Sequence, residues 1–152
     1  MDVLTRSAKR GTVRLAAVVA AAAAFVVWSV GPAQAGTAEV RRTLYLTNSP
    51  RPSDYAGTDT RYIYLAADYY LWEVLLFDED THQIVPGSRQ QRTIWLRADT
   101  YAWRCSIGGA DSYLYQDWCT LTAGTAKAEV GPTTFGIRSS GNYTLIGRLI
   151  GS

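Results

Sequence analysis

The chain has a single histidine, His82, and it closes the acidic run Asp78-Glu79-Asp80-Thr81-His82. That grouping could hold a metal ion or run acid/base chemistry, with Asp78 or Asp80 beside the imidazole. The competing reading is a solvated hairpin tip, because tight turns collect Asp and other residues that bond their own backbone. The surrounding sequence favours the tip. There is no Gly-x-Ser-x-Gly elbow for a serine nucleophile and no EF-hand pattern. Phosphate-binding and dinucleotide glycine motifs are missing too, and no carboxylate pair stands in a glycosidase context. The expectation is a non-enzyme with no cofactor and no bound metal. Catalysis by His82 with Asp78 or Asp80 is kept as a third reading.

Two further sets of residues carry chemistry. Cys105 and Cys119 are separated by thirteen residues, with no C-x-x-C spacing and no clustered histidine for a metal. They are expected to form a disulfide, worth about 3 kcal/mol by loop closure. The second set is aromatic. Tyr62, Tyr64, Tyr69, Trp95 and Trp118 fall opposite the inward stripes of their strands. Exposed rings can stack on sugars or anchor a protein partner. Tyr64, Tyr69, Trp95 and Trp118 are the candidate ligand contacts, for a carbohydrate or an extracellular protein.

The elements that position these residues begin after a leader. Arg6, Lys9, Arg10 and Arg14 precede the uncharged run Leu15 to Val30, and Ala33-Gln34-Ala35 offers small residues to a signal peptidase. Residues 1–35 read as a secretory signal peptide cleaved before Gly36. A retained anchor is the rival, but the apolar run has 16 residues, against the roughly 20 of a spanning helix. The leader holds four of the 15 basic residues and one of the 13 acidic ones, leaving a mature net charge of −1. No basic tract remains to attract nucleic acid or an anionic membrane. Residues 36–152 are enough for one domain and too few for two.

Within that domain the segment Arg92 to Cys105 matches Arg61 to Val74 at seven of fourteen positions, 31 residues apart. Both read as strand, Ala-Asp turn, strand. Asp can hold the turn through its carboxylate. The Tyr two residues on can bury its ring and return its hydroxyl to a backbone group, and the following Trp fills the core. The leading Arg of each copy belongs at a solvated rim. Arg42-Thr43-Leu44 echoes the strand half once more, and Ser139 to Tyr143 supplies a third turn with a Tyr just beyond it. A 31-residue period also fits a solenoid or propeller, but two copies in one small domain point to one corner used twice.

The pattern Leu-x-Ala-Asp-x-Tyr resembles the Leu-x-Ala-Gly-x-Tyr corners of secreted β-sandwich and jelly-roll modules. It is similar as well to the tyrosine corner of fibronectin-type and immunoglobulin-type domains. The resemblance implies a sandwich and assigns no family or activity. No stretch of the mature chain keeps helical periodicity over ten residues. Eight or nine short strands separated by turn signals are expected, in an antiparallel β-sandwich. Gly36 to Val40 reads as a frayed terminus, and Asn48–Thr60, rich in Pro and Gly, as a long loop. Three functions follow: a secreted carbohydrate- or envelope-binding module, an inhibitor presenting Asn48–Thr60 to a hydrolase, and the His82 enzyme.

Overall fold

The computed structural model describes residues 36–151, apart from the side chain of Ser112. The signal peptide expected over residues 1–35 lies outside the described residues. Ten strands follow in order: β1 (Gly36–Leu46), β2 (Tyr55–Gly57), β3 (Arg61–Leu65), β4 (Asp68–Asp78), β5 (Gln83–Ile84), β6 (Gln90–Leu96), β7 (Asp99–Ala110), β8 (Leu114–Ala123), β9 (Ala126–Phe135) and β10 (Gly141–Gly151). They form two antiparallel sheets. The first runs β1-β10-β4, with β5 and β6 placed end to end along the free side of β4. The second runs β7-β8-β9, with β2 and β3 end to end along the free side of β7. The fold class is the β-sandwich read from the sequence. No described helix is long and apolar enough to cross a membrane.

The additional strand residues have a physical origin. Gly36 to Val40 is not frayed, because β1 pairs with β10 along its whole length. The Pro- and Gly-rich stretch contains β2, whose three residues pair with β7 and are too few to show alternation. β9 continues through Gly131-Pro132 by means of a bulge opposite Trp118.

The two similar segments occupy equivalent places in opposite sheets. Arg61 pairs with Trp103, Ile63 with Tyr101 and Leu65 with Asp99. Arg92 pairs with Trp72, Ile94 with Tyr70 and Leu96 with Asp68 in the same register. The first strand of each segment therefore pairs with the second strand of the other. The Ala-Asp turn is the point where the chain crosses between sheets.

A buried tyrosine fixes each crossing. Tyr70 donates its hydroxyl to the Ala66 carbonyl at 2.7 Å, and Tyr101 to the Arg97 carbonyl at 2.7 Å. At the third corner Tyr143 donates to the Ser139 carbonyl at 2.6 Å. Burial raises all three hydroxyl pKa values, so they remain donors. The carboxylates of Asp68 and Asp99 accept the amides of Tyr69 and Thr100 at 2.7 and 2.8 Å. Two residues past each Tyr, Trp72 and Trp103 are fully buried.

The arginines that open the similar segments clasp the sheets together at their open sides. Arg61 of β3 donates to the Glu39 carbonyl of β1 at 2.7 Å, and Arg92 of β6 to the Glu129 carbonyl of β9 at 2.6 Å. Arg42, which opens the partial echo, reaches the Gly57 carbonyl of β2 at 2.9 Å. Charge-assisted bonds of this kind are stronger than neutral ones.

At the centre, Cys105 and Cys119 are register partners on β7 and β8 and form the disulfide. Both are fully buried. The sulfurs rest on Gly147 of β10 in the other sheet, where an added Cβ would lie 2.2 Å from the Cys105 sulfur. Glycine stands here because the bridge fills the volume a side chain would take. Gly147→Ala should destabilise the domain by about 1–3 kcal/mol, as overpacking of a filled core does. Urea unfolding of the two proteins measures it, and equal midpoints would contradict the contact.

Candidate functional site

The four candidate contact rings do not form one strip. Tyr64 and Trp118 lie on the outer face of the second sheet, Tyr69 and Trp95 on that of the first. Tyr69 and Trp95 are register partners and meet edge-to-face at 5.0 Å. Trp118 meets Tyr55, with ring centroids 6.1 Å apart. The Arg104 guanidinium sits 5.9 Å over the Tyr55 ring, whose hydroxyl lies 3.1 Å from Ser106 Oγ. Tyr62 and Tyr64 continue this face along β3, and both are exposed.

Tyr55 also walls a groove of about 590 Å³ that opens at the β1–β2 side of the sandwich. Tyr45 forms part of the lining, as do Leu44, Ile107 and Tyr115, with Arg51 and Asp54 supplying the charged groups. Tyr45 and Tyr55 are 68% and 58% exposed, so both rings are available to a ligand. Neither was among the sequence candidates. Tyr45 could have been found, since it alternates with Leu44 and Leu46 and so points outward. Tyr55 gave no signal, because β2 is too short for a period.

The loop over the groove is fixed at many points. Tyr115 donates its hydroxyl to the Thr47 carbonyl at 2.7 Å, and the Asn48 amide donates to Ser140 Oγ at 2.9 Å. Asp54 accepts the Arg51 amide at 2.9 Å and its guanidinium at 3.1 Å. Those bonds, the backbone one first, hold the Asp54 carboxyl below its usual range. The Gly109 amide donates to the Asp54 carbonyl at 2.8 Å. The later part of Asn48–Thr60 is not free loop. Residues 55–57 are β2, and Thr58 exchanges hydrogen bonds with the backbone of Cys105.

The acidic run forms the tip of the β4–β5 hairpin. Asp78 Oδ1 accepts the amides of Asp80 and Thr81 at 2.9 and 3.2 Å, and its carbonyl accepts the His82 amide at 2.8 Å. His82 takes a left-handed φ of 59°. The Thr144 hydroxyl donates to the Glu79 carboxylate. These carboxylates build the turn and hold it to β10. Asp78, Asp80 and His82 are not brought together as a ligand set, and no group of three or more His, Cys, Asp or Glu among the described residues could hold a metal.

Two buried acids went unread as sites. Glu73 interrupts the apolar outer face of β4 and is almost fully buried. Burial would raise its carboxyl, but Gln91, Arg148 and Arg89 outweigh that and hold it low. Their bonds measure 2.9, 3.2 and 3.0 Å, and Arg148 reaches on to Glu39 at 2.7 Å. This strip across the first sheet is structural. Asp117 is the opposite case. It is fully buried, and neither carboxyl oxygen has a hydrogen-bond partner among the described residues. Burial pushes its pKa up to about 8. The sequence held the signal, since Tyr115, Asp117 and Cys119 alternate on the inward stripe of β8.

No family model, curated protein or solved structure matches the chain.

Asp117 gives the domain a pH dependence of definite sign. Its native pKa lies above the ordinary 3.8, so the folded state holds the proton more tightly than the unfolded chain. The stabilisation is complete below about pH 4, declines as pH rises, and is gone above about pH 8, a change on the order of several kcal/mol. Asp117→Asn should flatten the slope and melt higher than the parent at pH 8. Thermal melts across this range check it, and parallel profiles would refute it.

Proposed function

We propose that this is a secreted, non-catalytic β-sandwich module that binds a polysaccharide of a cell envelope or extracellular matrix. Export follows from the leader with its Ala33-Gln34-Ala35 site, and the disulfide is at home in an oxidising compartment. The observation that carries the ligand reading is the Tyr45–Tyr55 groove, continued by Trp118 on the adjoining face. Rings held on strands lose little freedom when they stack on a sugar. Arg51 and Asp54 add a hydrogen-bonding pair for hydroxyl groups. Asp54, the carboxylate of the lining, is held by Arg51, and the lining holds no second acid and no histidine to activate the hydroxyls of Thr47 and Ser49. That composition supports recognition over bond cleavage.

The leaderless protein should bind on a glycan array and be retained by cell-wall preparations. Tyr55→Ala should weaken retention about tenfold, the equivalent of one anchoring contact. Blank results in both assays for the parent protein remove this reading. The alternative is an inhibitor of a hydrolase, supported by the rigidity of residues 47–54, since a preorganised loop binds at low entropic cost. Replacing residues 49–53 with Gly-Ser sequence separates the two. Inhibition of a protease or glycosidase by a parent protein that neither sugar assay retains, lost in this replacement, marks an inhibitor.

A further inference from the structure

The ladder between β8 and β9 breaks beside Trp118. Asp117 pairs with Thr133 and Cys119 with Val130, so Gly131 and Pro132 together oppose Trp118. Pro132 has no amide to donate. Gly131 adopts φ 84°, and an added Cβ there would lie 2.6 Å from the Asp117 carbonyl and 3.1 Å from Trp118 Cα. The Asp117-Trp118 step is therefore held on its β9 side by close packing across a bulge. The two side chains point to opposite faces. Trp118 turns outward to Tyr55, while Asp117 enters the core without a partner.

No charge compensates Asp117 from the strands around it. On β7, Arg104 lies on the outer face over Tyr55. On β9, Lys127 and Glu129 pair with each other at 3.9 Å. Across the core, Glu73 of β4 is tied to Arg89 and Arg148 on the far face, and Asp78 holds its hairpin turn. Arg148 of β10 is bound to Glu39 and Glu73. Burial is the dominant influence on the carboxyl.

We infer that Asp117 is a proton gate for the Trp118–Tyr55 surface: the neutral carboxyl keeps the bulge closed, and its ionisation opens the bulge and displaces Trp118. The proton leaves to solvent. A lone carboxylate in the core costs several kcal/mol, and the weakest place to admit water is the stretch where the ladder is already interrupted. Trp118, one residue away, moves with that opening. The consequence for a ligand rests on the polysaccharide reading above; the gate itself does not. Where the ligand needs Trp118 in place, linkage requires bound ligand to hold the proton on Asp117.

The test uses the secreted protein labelled with 13C at aspartate carboxyls and 15N at tryptophan indoles, followed by NMR from about pH 5 to about pH 10. The Trp118 signal is assigned with Trp118→Phe. One aspartate should titrate near 8, and the Trp118 indole should shift with the same midpoint. The Trp95 indole, on the other sheet, should stay flat. Asp117→Asn should abolish the Trp118 titration; should that variant not fold, the co-titration in the parent protein decides. An ordinary midpoint for every aspartate overturns the gate, as does a Trp118 signal that ignores Asp117. In a second arm, chitohexaose and cellohexaose serve as soluble probes. Binding should weaken about tenfold between about pH 6 and pH 9 in the parent but not in Asp117→Asn. Co-titration without binding of either probe leaves the gate standing and counts against the ligand reading alone.

Discussion

Everything in this sandwich depends on a tyrosine hydroxyl held by a carbonyl four residues earlier. Four times the chain leaves one sheet for the other, and at three of these crossings, those into β4, β7 and β10, a buried ring lies under the crossing and bonds back to its start. A crossing exposes backbone groups that no ladder can pair, and an unpaired buried group costs as much as a lost hydrogen bond. The tyrosine satisfies one of them and sets the angle at which the next strand enters. The indoles of Trp72 and Trp103 can then meet the opposite sheet, and Cys105 falls on the inward stripe where Cys119 is its register partner.

Sheet geometry also governs where function can reside. Side chains alternate across a strand, so aromatic residues on successive crossing strands divide between two outer faces. The first sheet takes Tyr69 and Trp95 together with the Glu39–Arg148–Glu73 network. The second takes Tyr62, Tyr64, Trp118 and Tyr55, and adjoins the groove. A ligand that needs several rings at once is therefore directed to the second sheet and the β1–β2 side.

Much of this was legible in the chain because local chemistry and the global fold agreed. Ala-Asp at the turn, Tyr two residues beyond the Asp and Trp two beyond that identify the corner, and strict alternation around Cys105 and Cys119 placed both sulfurs inside. What escaped had specific causes. β2 is shorter than one detectable period, so Tyr55 looked like loop. The arginine clasps end on backbone carbonyls, which carry no sequence identity. The full pairing of β1 comes from β10, whose partner residues lie 95 to 115 positions further along the chain. Asp117 was visible by alternation, yet it breaks the rule that a polar residue on an inward stripe finds a partner. Such a departure from local consistency is where functional strain is expected.

The arginine clasps reach further than the interior. An open sandwich presents rows of backbone groups at its sheet margins, which invite a strand from another molecule. Here β1, β2 and β9 each have a carbonyl occupied by a guanidinium from the opposite sheet. A charged side chain lies across each of these margins, so an incoming strand would have to displace it. Strand addition at these carbonyls therefore has to break a charge-assisted bond first, which works against fibril-like pairing along these three margins.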